Sequence, residues 1–296
     1  MKKIAFWALA LFIMVCQSAF ADGYNELWKQ FDVAMVKDLP KTALGVLQQI
    51  EKQAKVDKQY GSLLKASVCR GALQSAIAPD SLLGEVKGLE EAELAVRNSQ
   101  PVLAAVYQSA LGQLYNVYDE LKDGDGSKSR TYFSLSVKHP ELLAKTSAKG
   151  YEPLLVPGMD SHVFNNDLLH VLGLAADEYA LLYRYYEKVG NRRASCLLAR
   201  LMLEETETNF ADSVNEEKEE EDTCKFDELP IVRKLDSLMN VYADLPEVAE
   251  LAIYRYSLMY GAENVKKSEV LKYVDYALSK WGSWKRMNVL RNARKT

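Results

Sequence analysis

Three histidines, His139, His162 and His170, are the side chains in this sequence best suited to move protons near neutral pH. His162 and His170 lie eight residues apart, so one helical face could carry both. Asp167 sits three residues before His170, where it could orient the ring or share a metal. A zinc site would need further ligands from elsewhere in the chain, and the HExxH pattern is absent. Polar or capping roles are therefore expected of these histidines. Asp160-Ser161-His162 holds the letters of a hydrolase triad, but sequence neighbours rarely meet as nucleophile, base and orienting acid, and no G-x-S-x-G elbow accompanies them. Walker and dinucleotide glycine loops are also missing. The expectation is a protein without catalysis, cofactor or metal.

Three other groups of residues invite chemistry. Segment 119–130, DELKDGDGSKSR, resembles a calcium loop only superficially. With Asp123 as first ligand, Lys128 falls where the sharp-turning glycine belongs and Ser134 where the bidentate glutamate belongs, so a solvated loop is expected. Cys69 and Cys196 lie in apolar helical segments and read as small buried hydrophobes. Cys224 follows the acidic run 216–222 and reads as an exposed thiol. Tyr179, Tyr183, Tyr185 and Tyr186 share one predicted helix. Of these, Tyr179, Tyr183 and Tyr186 could line a groove for an extended peptide, against a competing reading as packing between hairpins.

The elements that must position these residues are helical throughout. Apolar residues recur at three and four, as in Leu27, Trp28, Phe31 and Met35, or Ala43, Leu47, Ile50 and Ala54. Asp38 is placed to cap the second helix, and Pro40 and Pro101 to open helices. In the central stretch, residues 160–205, three helices are expected. Phe164, Leu168 and Leu172 would share one face; Tyr179, Leu182, Tyr183 and Tyr186 a second; Ala194, Leu197, Leu198 and Leu201 a third. Gly190 and Asn191 would form the turn between the last two. Hairpins at this spacing predict an all-α, tetratricopeptide-like helical hairpin solenoid, right-handed and without the Trp-Leu-Gly-Tyr signature.

Residues 1–21 read as a cleaved signal peptide: Lys2 and Lys3, an apolar run, then Ala19-Phe20-Ala21. A lipid anchor at Cys16 is disfavoured by Val15 before it. The mature chain would then hold a helical array at 22–118, an irregular connector with one short helix at 119–159, a second array at 160–281, and a basic tail or connector at 282–296 with little to pack against. No integral membrane span is expected in it. A formal charge of −4 gives no reason to propose a nucleic-acid partner.

Four segments, YNELWKQFDVAMVKDLPKTALGVLQQI, HPELLAKTSAKGYEPLLVPGMDSHVFNNDLLHVLGL, YEKVGNRRASCLLARLML and WGSWKRMNVLRNARKT, carry a resemblance to the amino-terminal helical region of the large alpha-2-macroglobulin-like proteins of Bacteroides and related bacteria. The resemblance implies a periplasmic or cell-envelope protein whose helical region serves as a scaffold or interaction module. Its partners would be proteins or peptides, among them macroglobulin-type sandwich domains. The thioester of that family has no counterpart here, because no cysteine is followed by Gly-Glu-Gln, so its protease-trapping activity maps onto no residue of this chain. A free-standing periplasmic adaptor that binds peptides or proteins is the alternative.

Overall fold

The computed structural model describes residues 22–122, 124–214 and 225–295. The expected signal segment with Cys16, the acidic run 216–222 and Cys224 lie outside them. Among the described residues every regular element is a helix, so the protein is all-α. The chain divides into two units, one ending at Glu178 and one beginning at Tyr179. The central stretch, residues 160–205, is divided between the units.

The first unit contains α1 (Asp22–Val36), α2 (Pro40–Asp57), α3 (Tyr60–Ile77), α4 (Leu82–Val96), α5 (Pro101–Lys122), α6 (Ser127–Ser136), the short α7 (Pro140–Leu143) and α8 (Leu168–Ala175). Pro40 and Pro101 open helices as expected, because a first-turn residue needs no N–H donor and proline already holds a helical φ. Asp38 does not cap α2. Its φ is 53°, and Leu39 occupies the capping position. Successive helices α1, α2 and α3 pack around Trp28, Phe31, Leu47, Ile50 and Cys69. Arg70 on α3 holds this array to the next helix by pairing with Glu51 on α2 (2.8 Å) and Glu85 on α4 (2.6 Å).

The connector expected at 119–159 contains a ten-residue helix, α6, packed along α5. Its inward positions carry small and aromatic side chains rather than an aliphatic stripe, which is why periodicity missed it. Ser129 Oγ donates to Gly112 O (2.9 Å), and Tyr132 stacks on Tyr115 with ring centroids 5.5 Å apart. Phe133 lies so close to Gly112 that a Cβ there would meet its ring at 2.8 Å. Glycine at 112 is what lets the two helices approach. Both tyrosine hydroxyls donate to Glu90 Oε1 on α4 at 2.8 Å, which ties α4, α5 and α6 together.

Phe164 does not continue into the helix of Leu168 and Leu172. Ser161–Phe164 is a 3-10 turn, and Asn165 and Asn166 then take left-handed conformations with φ of 56° and 53°. Two such residues in succession break a helix, and asparagine tolerates the conformation better than most side chains. The reversed chain is tied to residues 146–148: Leu168 N–H donates to Thr146 O (2.7 Å) and Ala148 N–H to Asn166 O (3.1 Å).

The second unit contains α9 (Tyr179–Lys188), α10 (Arg192–Val214), α11 (Pro230–Val241), α12 (Val248–Gly261), α13 (Lys267–Trp281) and α14 (Asn288–Ala293). Gly190, at φ 77°, ends the turn after α9, and Asn191 Oδ1 accepts from Ala194 N–H (3.2 Å), both as the sequence predicts. The last segment corrects the expectation of a tail with little to pack against. Met287 and Leu290 are fully buried in the core formed with α12 and α13, and Trp284 and Ala293 pack beside them. Two of its arginines are paired with carboxylates. Arg286 Nε donates to Glu250 Oε1 on α12 (2.5 Å), Trp284 Nε1 donates to the same oxygen, and Arg294 pairs with Asp275 on α13 (2.9 Å).

Candidate functional site

The sequence drew attention to two places, and the structure answers differently at each. In the first unit, the 3-10 turn places Ser161 against α8, and Asp167 stands at the N-cap of that helix. Asp167 Oδ1 accepts from His170 N–H at 2.9 Å and from the His170 ring at Nδ1, 3.0 Å away. A carboxylate only accepts, so in the neutral ring Nδ1 carries the proton and Nε2 accepts from Ser161 Oγ at 2.9 Å. The ring stacks on Phe164, with centroids 5.0 Å apart and planes 5° from parallel. This is the connectivity of a serine, histidine and aspartate relay, but all three side chains are buried, Ser161 at 5 % exposure and His170 at 2 %.

The Asp167–His170 spacing was legible in the sequence. Ser161 as the third member was not, because it reaches the ring through the two left-handed asparagines. His162 is exposed, so Asp160-Ser161-His162 does not act as one unit. His162 and His170 also occupy opposite environments rather than one face. Among the described residues no group of three or more His, Cys, Asp or Glu side chains could hold a metal ion. Cys69 and Cys196 are both buried. Burial, followed by the nearby charges of Glu247 and Glu250, pushes the Cys196 thiol up to about 12.

The tyrosine helix of the second unit, α9, presents a surface of a different kind. Tyr186 is packed inside the core at 1 % exposure, so it cannot line a groove in this structure. Tyr179 and Tyr183 are half-buried. Tyr183 is joined to residues the sequence did not suggest: Tyr242 O–H donates to Glu187 Oε1 (3.1 Å), which leaves the Tyr242 oxygen to accept from Tyr183 O–H (3.0 Å). Burial first, then the hydrogen bond with Tyr183, raises the Tyr242 hydroxyl well above the ordinary phenol value.

Arg192, just past the α9–α10 turn, lies over the Tyr242 ring at 6.0 Å. It forks onto Asp244 through Nη1 (2.6 Å) and Nη2 (2.9 Å), and Nη2 also donates to Val241 O (2.8 Å). The hydrogen bond with Arg192 holds the Asp244 carboxyl below the usual carboxylate range. Val189 and Val241 stand exposed on the two chain segments that Arg192 bridges. Arg192, Asp244, Val189 and Val241 thus lie exposed along one edge, and half-buried Tyr183 is linked to it through Tyr242, whose ring Arg192 covers.

The class that this fold defines, among the described residues, is an all-helical protein. No family model, curated protein or solved structure matches the chain. Among the described residues no helix is long and apolar enough to cross a membrane.

Proposed function

We propose that this chain is a non-catalytic helical scaffold of the cell envelope that docks a protein partner through the edge formed by Tyr183, Arg192, Val189, Val241 and Asp244. The observation that carries the reading is the bridging of the α9–α10 turn to the end of α11 by Arg192. It fixes the arginine in place before any partner arrives, as the hydrogen bond to Tyr242 fixes Tyr183, and two valines are left facing solvent. Tyrosine and arginine dominate the energetics of protein interfaces, and side chains already held in position lose less entropy on binding. The buried Ser161-His170-Asp167 chain supports the non-catalytic part of the reading, because its polar atoms join the 3-10 turn to α8 and little of the nucleophile faces solvent.

The resemblance to the helical region of alpha-2-macroglobulin-like proteins names the partner class, a macroglobulin-type sandwich domain. It also supports secretion through residues 1–21 and stacking of the hairpins as a right-handed, tetratricopeptide-like solenoid. The test is titration of the full chain with a purified macroglobulin-type sandwich domain, comparing wild type with Val241→Asp and Arg192→Ala. The expected loss is about tenfold or more in affinity for each variant, with unchanged helical circular dichroism. Wild-type binding that both variants retain would refute the edge, and no wild-type binding would refute the partner. Labelling of Ser161 by a fluorophosphonate, absent from Ser161→Ala, would refute the non-catalytic reading.

A second reading, a free-standing periplasmic adaptor for extended peptides, rests on half-buried Tyr179 and Tyr183. It predicts peptide binding that Tyr183→Ala abolishes.

A further inference from the structure

We infer that the tip of the α1–α2 hairpin is a contact point for an anionic lipid surface, independent of the edge on the second unit. Val36 is 88 % exposed, Val33 51 % and Leu39 46 %. They form one patch. Val33 and Val36 are one turn apart on α1, and Leu39 N–H donates to Ala34 O (2.9 Å), which folds the turn back beside the end of that helix. Pro40, also exposed, extends the apolar surface into the first turn of α2.

Shape and charge decide what this patch fits. The apolar side chains cap the end of a hairpin, a projection rather than a groove, and a projection of aliphatic side chains suits a soft acyl-headgroup boundary. The exposed charges around it are Lys29, Lys37 and Lys41, against the exposed carboxylates of Asp38 and, one turn behind Lys29, Glu26. Asp32 is half-buried within the field of Lys65, and Glu26, further back along α1, accepts a hydrogen bond from Gln30. Three lysines around an aliphatic tip, on a chain whose net charge is −4, complement anionic headgroups. Each such lysine raises binding about fivefold near a negative surface.

The test reads the tip directly, so lipid binding by any other part of the chain does not confuse it. In the full chain with Cys16→Ser and Cys224→Ser, an environment-sensitive fluorophore is attached at Val36→Cys or, as a comparison at the far end of α2, at Val56→Cys, where the native side chain is 78 % exposed. Vesicles of mixed anionic and zwitterionic lipid should give a blue shift and a several-fold rise in emission at position 36, with position 56 unchanged. Purely zwitterionic vesicles should give neither. Removing two lysines with Lys37→Ser and Lys41→Ser should weaken the response about 25-fold. An unchanged spectrum at position 36, an equal response at position 56, or an equal response on zwitterionic vesicles would overturn the inference. A blue shift that grows with protein concentration without vesicles would overturn it in favour of pairing between two copies of the chain.

Discussion

Replacing Leu290 by alanine should cost the second unit about as much as a substitution in the middle of a core helix, although the residue lies in a segment whose sequence reads as a charged tail. Leu290 is fully buried, as is Met287 one turn before it, and both pack with Val270, Val274 and Ala277 of α13 and with the inner face of α12. Leucine to alanine removes three carbons, and at about 0.8 kcal/mol per buried methylene the transfer loss alone is about 2.4 kcal/mol. A cavity lined by α12 and α13 adds to this, so the total should fall at about 3–4 kcal/mol. Val289, its neighbour in sequence, is 51 % exposed, and Val289→Ala should stay within about 0.5 kcal/mol of wild type. Urea unfolding read by tryptophan fluorescence measures both, since Trp281 and Trp284 pack beside this segment. The midpoint should shift for Leu290→Ala with little change in slope. Equal midpoints for the two variants would refute the docking of residues 285–293 and return the segment to the tail that its charges suggest.

Gly61→Ala should destabilise the first unit by about 1–3 kcal/mol, because a Cβ at that position would meet Glu152 O at 2.2 Å and Tyr151 C at 2.5 Å, both backbone atoms. Gly88→Ala in α4, with open space around the new methyl, should instead stabilise it by about 0.5–1 kcal/mol, and thermal unfolding separates the signs. Cys196, its thiol pushed up to about 12 by burial, should contribute a decline in stability as pH rises from about 8.5 towards that value, since only the unfolded chain ionises in this window. Denaturation at pH 8 and pH 10.5 should show wild type losing about 2–3 kcal/mol more than Cys196→Ala over that range. An identical loss in the two would refute the buried, protonated thiol.

How much of this was legible in the sequence depended on how far apart the cooperating residues lie. The helix starts at Pro40 and Pro101 and the turn at Gly190 and Asn191 are decided within a few residues, and local chemistry was enough to find them. The helix of residues 127–136 was missed because its packing is built on Ser129, Tyr132 and Phe133 against the open backbone at Gly112, a complementarity that belongs to two helices at once. Trp284, Met287 and Leu290 do recur every third residue, a helical signal that was present in the sequence. The surrounding lysines and arginines obscured it, because a sequence does not show that Glu250 and Asp275 are waiting for Arg286 and Arg294. At the candidate edge, Tyr183 was found but Tyr242, Glu187 and Asp244 were not. Tyr242 and Tyr183 are 59 positions apart, and nothing local foretells the pairing.

The same contrast says where function can reside on this protein. Arg255 is the clearest case of a charge used within the fold: it pairs with Asp236 and Asp227, both at 2.7 Å, and lies between the rings of Phe226 and Tyr273 at 5.5 and 4.9 Å. Glu250 plays the corresponding role for Trp284 and Arg286, and Glu93 for Arg97 and Gln108. A buried carboxylate so engaged, such as Glu250 or Glu93, could act on a ligand only by giving up partners inside the fold, at a cost of several kcal/mol. Arg192 differs in position rather than in bonding. Its fork onto Asp244 is about half exposed at both ends, so a partner can add contacts to it without dismantling anything beneath. That asymmetry supports the proposed docking edge around Arg192, and it leaves the buried hydrogen-bonded hubs to hold the helices in register.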